Sequence, residues 1–168
     1  GATQIDGTVT VGVDDTGYDV KFFGAAASAY MLWDASTDDL ILGGSSKMGI
    51  GETDPGTLLH VKASDTGIAP HGSAQITLER EGTNYLQFLT AEAGTSGILF
   101  GDGSDVDVAS IVLDHNTTDM TFRTETNTAL TIEGEGNIII ANTGGTLSTK
   151  TAGTSNLRLG VNAGNSIA

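Results

Sequence analysis

The chain has 168 residues, enough for one ordinary domain, but 24 are Gly and only five Phe, three Tyr and one Trp are present, so no single large core can be read from it. Its formal charge of −14, from 21 acidic against 7 basic residues, excludes the clustered Lys and Arg that nucleic acid or an anionic membrane surface would require. Without Cys it can form no disulfide, zinc–thiolate site or thiol nucleophile, and no apolar run of about 18 residues offers a transmembrane helix.

Val9, Val11 and Val13 alternate with Thr10 and Gly12 and predict a first strand. Asp14–Gly17 reads as a turn, Tyr18–Phe23 as a second strand, and Ala25–Ala29 as a loop despite its alanines. Tyr30–Trp33 and Leu40–Leu42 read as strands flanking the polar turn Asp34–Asp39. Gly43–Ser46 is punctuation, and MGIGETDPGTLLHVK at 48–62 carries the strong turn Asp54-Pro55-Gly56 before a strand with Leu59 and Val61 on one face and His60 on the other. Further short strands are predicted at Ile76–Leu78, Tyr85–Leu89, Ile98–Phe100, Ile111–Leu113, Met120–Phe122, Leu130–Ile132, Ile138–Ile140 and Leu157–Val161. No signal-peptide pattern opens the chain; it starts at Gly1 without Met and ends inside what reads as a new unit, so it is expected to be a segment of a longer polypeptide.

Residues 33–42, WDASTDDLIL, and 113–122, LDHNTTDMTF, are two versions of one hairpin. Asp34, Thr37, Asp39, Leu40 and Leu42 align with Asp114, Thr117, Asp119, Met120 and Phe122, and FFG at 22–24 aligns with LFG at 99–101. The expected organisation is a first β module over 1–47, a turn, strand and connector over 48–73, a second module over 74–142 repeating the first, and over 143–168 the start of a third module or a C-terminal strand. A repeated small β unit builds length and not one catalytic cleft. The fold class is therefore all-β. Its thin, alternating apolar rows imply that neighbouring copies cover them, and the acidic surface keeps such an assembly soluble.

Candidate sites are few. Asp102, Asp105 and Asp107 place three carboxylates in one loop and could attract Ca²⁺, but the loop lacks the EF-hand spacing, and a solvated hairpin tip is the favoured reading. His60, His71 and His115 lack metal-ligand spacing; His60 is expected to pack, near an assembly axis or facing solvent, and not to hold an ion. No G-x-S-x-G elbow occurs, and Gly49-Ile50-Gly51 and Gly134-Glu135-Gly136 open no helix and carry no P-loop Lys. No enzymatic activity, catalytic residue, cofactor or firm metal site is expected.

MGIGETDPGTLLHVKAS resembles a phrase of phage tail fibres in which a Gly-Ile-Gly-Thr-x-x-Pro turn precedes Leu-His-Val. ILFGDGSDVDVASIVLDHNTTDMTFRTETNTALTIEGEGNI and TVTVGVDDTGYDVKFFGAAASAYMLWDASTDDL resemble further tail-fibre modules, of the kind common in marine phages. The closing phrase departs from the pattern, with Ile139 where Gly is usual, and no intramolecular chaperone or autocleavage domain lies within these 168 residues. The resemblance implies an elongated homotrimeric fibre of short repeated strand and hairpin modules, located extracellularly on a virion. It also implies partners among other tail or head proteins, support of attachment to a host-cell receptor, and a receptor-binding tip outside this chain; neither nucleic acid binding nor membrane insertion is expected. A receptor- or glycan-binding module using the loops 25–29 and 102–110, a head fibre or capsid-decorating protein, and a bacterial adhesin are the alternatives. The axial core is expected to comprise Val11, Phe22, Trp33, Leu42, Ile50, Leu59, Val61, Leu78, Phe88, Phe100, Leu113, Phe122 and Ile132.

Overall fold

A computed structural model of the chain describes residues 1–140. These residues are all-β and form three open sheets with no helix among them. The chain divides into two compact units, with the boundary between Leu86 and Gln87. The strand expected at Leu157–Val161 and the element expected over 143–168 lie outside the described residues.

The first unit holds two sheets. Strands β1 (Val20–Phe23), β2 (Tyr30–Asp34) and β3 (Asp39–Gly43) form an antiparallel sheet in chain order. The segment 24–29 is the expected loop: the Gly24 N–H donates to the Ala29 carbonyl at 2.8 Å and Ser28 takes a positive φ. The strand expected over Val9–Val13 does not form. Alternation supplies a face, but a strand needs a partner ladder, and here only Val13 and Thr16 pair, around Asp15 at positive φ. Gly12, also at positive φ, bends the backbone out of the extended region.

Strands β4 (Met48–Ile50), β5 (Leu59–Lys62) and β6 (Ile76–Glu79) form the second sheet, and it is parallel. Residues 51–58 carry the chain back past β4 through the Asp54-Pro55-Gly56 turn. Gly51 at positive φ opens this connection, and the buried Thr57 closes it by donating its hydroxyl to the Leu59 carbonyl at 2.8 Å. Because β6 pairs with β5, residues 76–79 complete this sheet; the module start expected at residue 74 does not coincide with the unit boundary.

In the second unit β7 (Thr95–Phe100), β8 (Ala109–Asp114), β9 (Asp119–Thr124), β10 (Asn127–Ile132) and β11 (Ile138–Ile139) make an antiparallel meander. The strand expected at Tyr85–Leu89 is absent, and Tyr85, Leu86 and Leu89 are exposed without a ladder partner.

The hairpin repeat is structural. Asp34 pairs with Asp39 and Asp114 with Asp119; Trp33 pairs with Leu40 and Leu113 with Met120. Asp38 and Thr118 hold the same positive-φ position of the turn, while the carboxylates of Asp34 and Asp114 each accept a backbone N–H two residues on, from Ser36 at 3.0 Å and Asn116 at 2.8 Å. The upstream strand corrects the sequence alignment by one residue. Val20 faces Trp33 whereas Ser96 faces Leu113, so Phe22 corresponds to Ile98 and not to Leu99. Side chains alternate across a strand, so pairing register decides the equivalence and similarity of spelling does not.

Candidate functional site: open apolar faces and a buried ionic cluster

The registers sort side chains by face. In the first sheet one face carries the rows Val20–Trp33–Leu40 and Phe22–Met31–Leu42. In the parallel sheet one face carries Met48–Leu59–Ile76 and Ile50–Val61–Leu78. In the meander one face carries Leu113–Met120–Ile132–Ile138 with Ser96, beside Ile98–Ile111–Phe122–Leu130. Every strand residue of the expected axial core lies on one of these faces, whereas Val11 and Phe88 lie outside strands.

Among the described residues these faces are left partly open. Among the described residues Ala29, at 7% exposure, is the one buried apolar side chain, while Phe22 is 58% and Trp33 42% exposed. A core of interdigitated side chains is what ordinarily offsets the conformational entropy lost on folding. Among the described residues the apolar groups are aligned for burial, but each sheet stands as a single open layer.

The opposite face of the parallel sheet is sealed. His60 is 2% exposed and its Nε2 lies 2.8 Å from Glu79 Oε2. The Gly56 N–H donates to His60 Nδ1 at 3.4 Å, so Nε2 carries the proton and donates to the carboxylate. Glu79 Oε1 accepts the Thr66 N–H at 2.7 Å and the Thr66 hydroxyl at 3.0 Å. The Lys62 ammonium lies 2.8 Å from Glu52 Oε2, 3.4 Å from Asp65 and 3.9 Å from Glu79. The hydrogen bond from Lys62, reinforced by the Asp54 N–H, lowers the Glu52 carboxyl to about 2. Glu79 is lowered chiefly by the Thr66 N–H against the opposing effect of desolvation, and Lys62 is raised by its bond to Glu52.

His60 was expected to pack, near an assembly axis or facing solvent; it is buried, and against Glu79 of the same chain. Glu52, Lys62 and Glu79 were missed. The signal lay in the alternation: His60 and Lys62 interleave with Leu59 and Val61, and Thr77 and Glu79 with Ile76 and Leu78. Parallel pairing then superposes both polar sets on one side. Glu52, His60 and Glu79 offer ligand atoms within 4.8 Å of one another, but Lys62 already supplies the cation between the carboxylates and His60 Nε2 carries a proton.

The remaining candidate residues stay apart. The Asp102 carboxylate accepts the Ser104 N–H and hydroxyl, both at 2.8 Å, and the Asp105 N–H at 3.0 Å; these bonds, the Ser104 N–H foremost, lower its carboxyl. Asp105 accepts the Asp107 N–H at 3.0 Å, and Asp107 pairs with Arg123 at 2.6 Å, so the three carboxylates are committed to separate local bonds. His71 Nδ1 accepts the Ser73 N–H at 3.2 Å. His115 Nε2 lies 3.0 Å from Ser96 Oγ, beside an open groove of about 270 Å³ lined by Phe88, Ile98, Leu113 and Met120. Val20 and Ala35 occupy the equivalent positions of the first hairpin, so this polar pair is particular to the second.

No known family, no curated protein and no solved structure matches the chain.

Proposed function

We propose that the chain is a structural segment of a virion fibre, a tail-fibre shaft or adaptor that works as a homotrimer on the outside of the particle. Its role is mechanical and not catalytic: it spaces and orients a distal receptor-binding part, joined to other virion proteins. The observation that carries this reading is the register-selected set of open apolar faces. In the parallel sheet every large aliphatic side chain of the strands lies on one side, where Ile50 and Ile76 are more than half exposed, and each of the other two sheets carries two adjoining apolar rows on one side. Copies packed around an axis bury those faces and leave the polar sides in water. The module phrases that resemble tail fibres supply the virion context. The charge of −14 suits an assembly crowded on a particle, because it opposes clumping between fibres.

The test is solution mass by light scattering together with sedimentation. The expected result is three chains in an elongated particle. A well-folded, compact single chain at low concentration refutes the proposal.

A further inference from the structure

We propose that the free edge of β7 is a docking site for an extended, alternately apolar segment of an unlike polypeptide that carries Lys or Arg at its two ends. The inference concerns a strand edge and stands apart from the apolar faces on which the fibre reading rests. In an antiparallel ladder, residues whose backbones bond to the neighbouring strand alternate with residues whose backbones point away from it. The His115 N–H donates to the Gly94 carbonyl at 2.9 Å, in register with the β7–β8 pairs. The Glu125 N–H donates to the Val108 carbonyl at 2.5 Å, which fixes the same alternation of β8 from its other side. Ser96, Ile98 and Phe100 are therefore bonded to β8, and the N–H and carbonyl groups of Thr95, Gly97 and Leu99 point outward. Among the described residues nothing bonds to them. A second extended backbone offers donors and acceptors at the spacing of that row.

Among the described residues every other sheet edge is blunted by charge or by shortness, the usual protections against strand addition. β1 carries Lys21, β3 opens on Asp39, β6 ends on Glu79, β4 has three residues and β11 two. β7 has six, TSGILF, with neither a charge nor Pro. The chain's adjacent segment does not close this edge. The Gly94 N–H donates to the Ala91 carbonyl at 2.8 Å, and a hairpin continued from that turn would bond Ser96 to Leu89 and Ile98 to Gln87. Those β7 backbones already face β8. Charge then selects the occupant. Glu92 precedes the edge and Asp102 and Asp105 follow it, all exposed, so a segment with basic ends is attracted at both. In this sequence no alternating apolar run lies between two basic residues, and a further copy of a chain with charge −14 is repelled. Directly opposite residues share a face. The added strand therefore sets its apolar side chains beside Ser96 and Ile98, where they extend the rows of Leu113 and Ile111.

The probe is the end-blocked peptide Lys-Val-Thr-Val-Thr-Val-Lys; controls replace both Lys by Glu, or the central Val by Pro. Binding to the full chain is followed by fluorescence anisotropy of the labelled peptide, and amide exchange is read residue by residue. The expected result is fast exchange at Thr95, Gly97 and Leu99 in the free protein, slowed by the Lys-flanked peptide, with Ser96 and Ile98 unchanged. The Glu-flanked peptide should bind about tenfold more weakly, the scale of two exposed ion pairs, and the Pro peptide should not bind. Leu99→Pro removes one outward N–H and leaves the ladder to β8 whole; it should abolish binding while the amides of β8 and β9 stay protected. Slow exchange at Thr95, Gly97 and Leu99 in the free protein overturns the inference, because the edge is then already paired within the chain or by another copy. So does an absence of binding by the Lys-flanked peptide, binding that leaves those three amides unchanged, or equal binding of the Glu-flanked peptide. None of these outcomes alters the three-chain mass, which tests the fibre proposal separately.

Discussion

Gly51→Ala separates two ways in which a glycine can be required. Gly51 opens the connection that turns β4 back to β5, and it has φ of +73°. A Cβ there would fall well inside van der Waals contact of the Lys62 carbonyl oxygen, a backbone atom that cannot swing aside. Left-handed backbone in a residue with a Cβ costs about 1–2 kcal/mol, and forcing an atom into packed space costs about 1–3 kcal/mol more. Gly67 has nearly the same φ, +71°, but open space around the added methyl. Gly67→Ala should therefore lose about 1–2 kcal/mol and Gly51→Ala about 2–5 kcal/mol. Urea unfolding at one fixed chain concentration measures both, with the shift read from the midpoint at unchanged slope. Equal losses for the two variants would refute the close approach of Gly51 to Lys62, and with it the tight crossover that makes this sheet parallel.

Phe122→Asp puts a carboxylate between Ile111 and Leu130 on the apolar face of the meander; assembly should be lost, and a light-scattering mass showing intact trimers of the variant would refute the assignment of that face. The Glu52 carboxyl, lowered from 4.5 to about 2, contributes stability that is fully present above pH 4.5 and is lost as pH falls toward 2. An NMR titration of Glu52 should show a midpoint near 2 in the native chain and a rise toward the ordinary range in Lys62→Met; a native midpoint near 4 would contradict the Lys62 contact. Arg123 donates to both the backbone and the carboxylate of Asp107, at 2.6 Å each, and to Ser110 at 3.3 Å. Arg123→Lys should cost only about 0.5–1 kcal/mol, as a partly exposed pair, yet raise amide exchange across 105–108; unchanged exchange there would show that the loop is held by other contacts.

Alternation was legible in the sequence for most of the strands that form, though not for β4 or β11. Phe22, Trp33, Leu42, Leu113 and Phe122 were assigned to shared rows from their spacing together with the tail-fibre resemblance, and the registers place them on apolar faces of their sheets. The repeated turn was legible too, because Asp34 and Asp114 cap it through bonds to residues two positions on. Such local bonds need no knowledge of the rest of the chain.

Pairing was decided only by tertiary structure. Val9–Val13 alternates as well as many true strands do and Tyr85–Leu89 is as apolar as they are, yet among the described residues no ladder reaches either. The parallel direction of β4, β5 and β6 depends on where residues 51–58 return the chain, which a turn signal at Asp54-Pro55-Gly56 marks without aiming. The contact of His60 with Glu79 joins residues far apart in sequence, and it exists because parallel register superposes their polar sides. The one-residue slip between FFG and LFG has the same origin. Composition and spacing determine which side chains can share a face, since that follows from backbone geometry within one strand; which faces meet depends on hydrogen bonds between strands, whose partners the linear chain does not name.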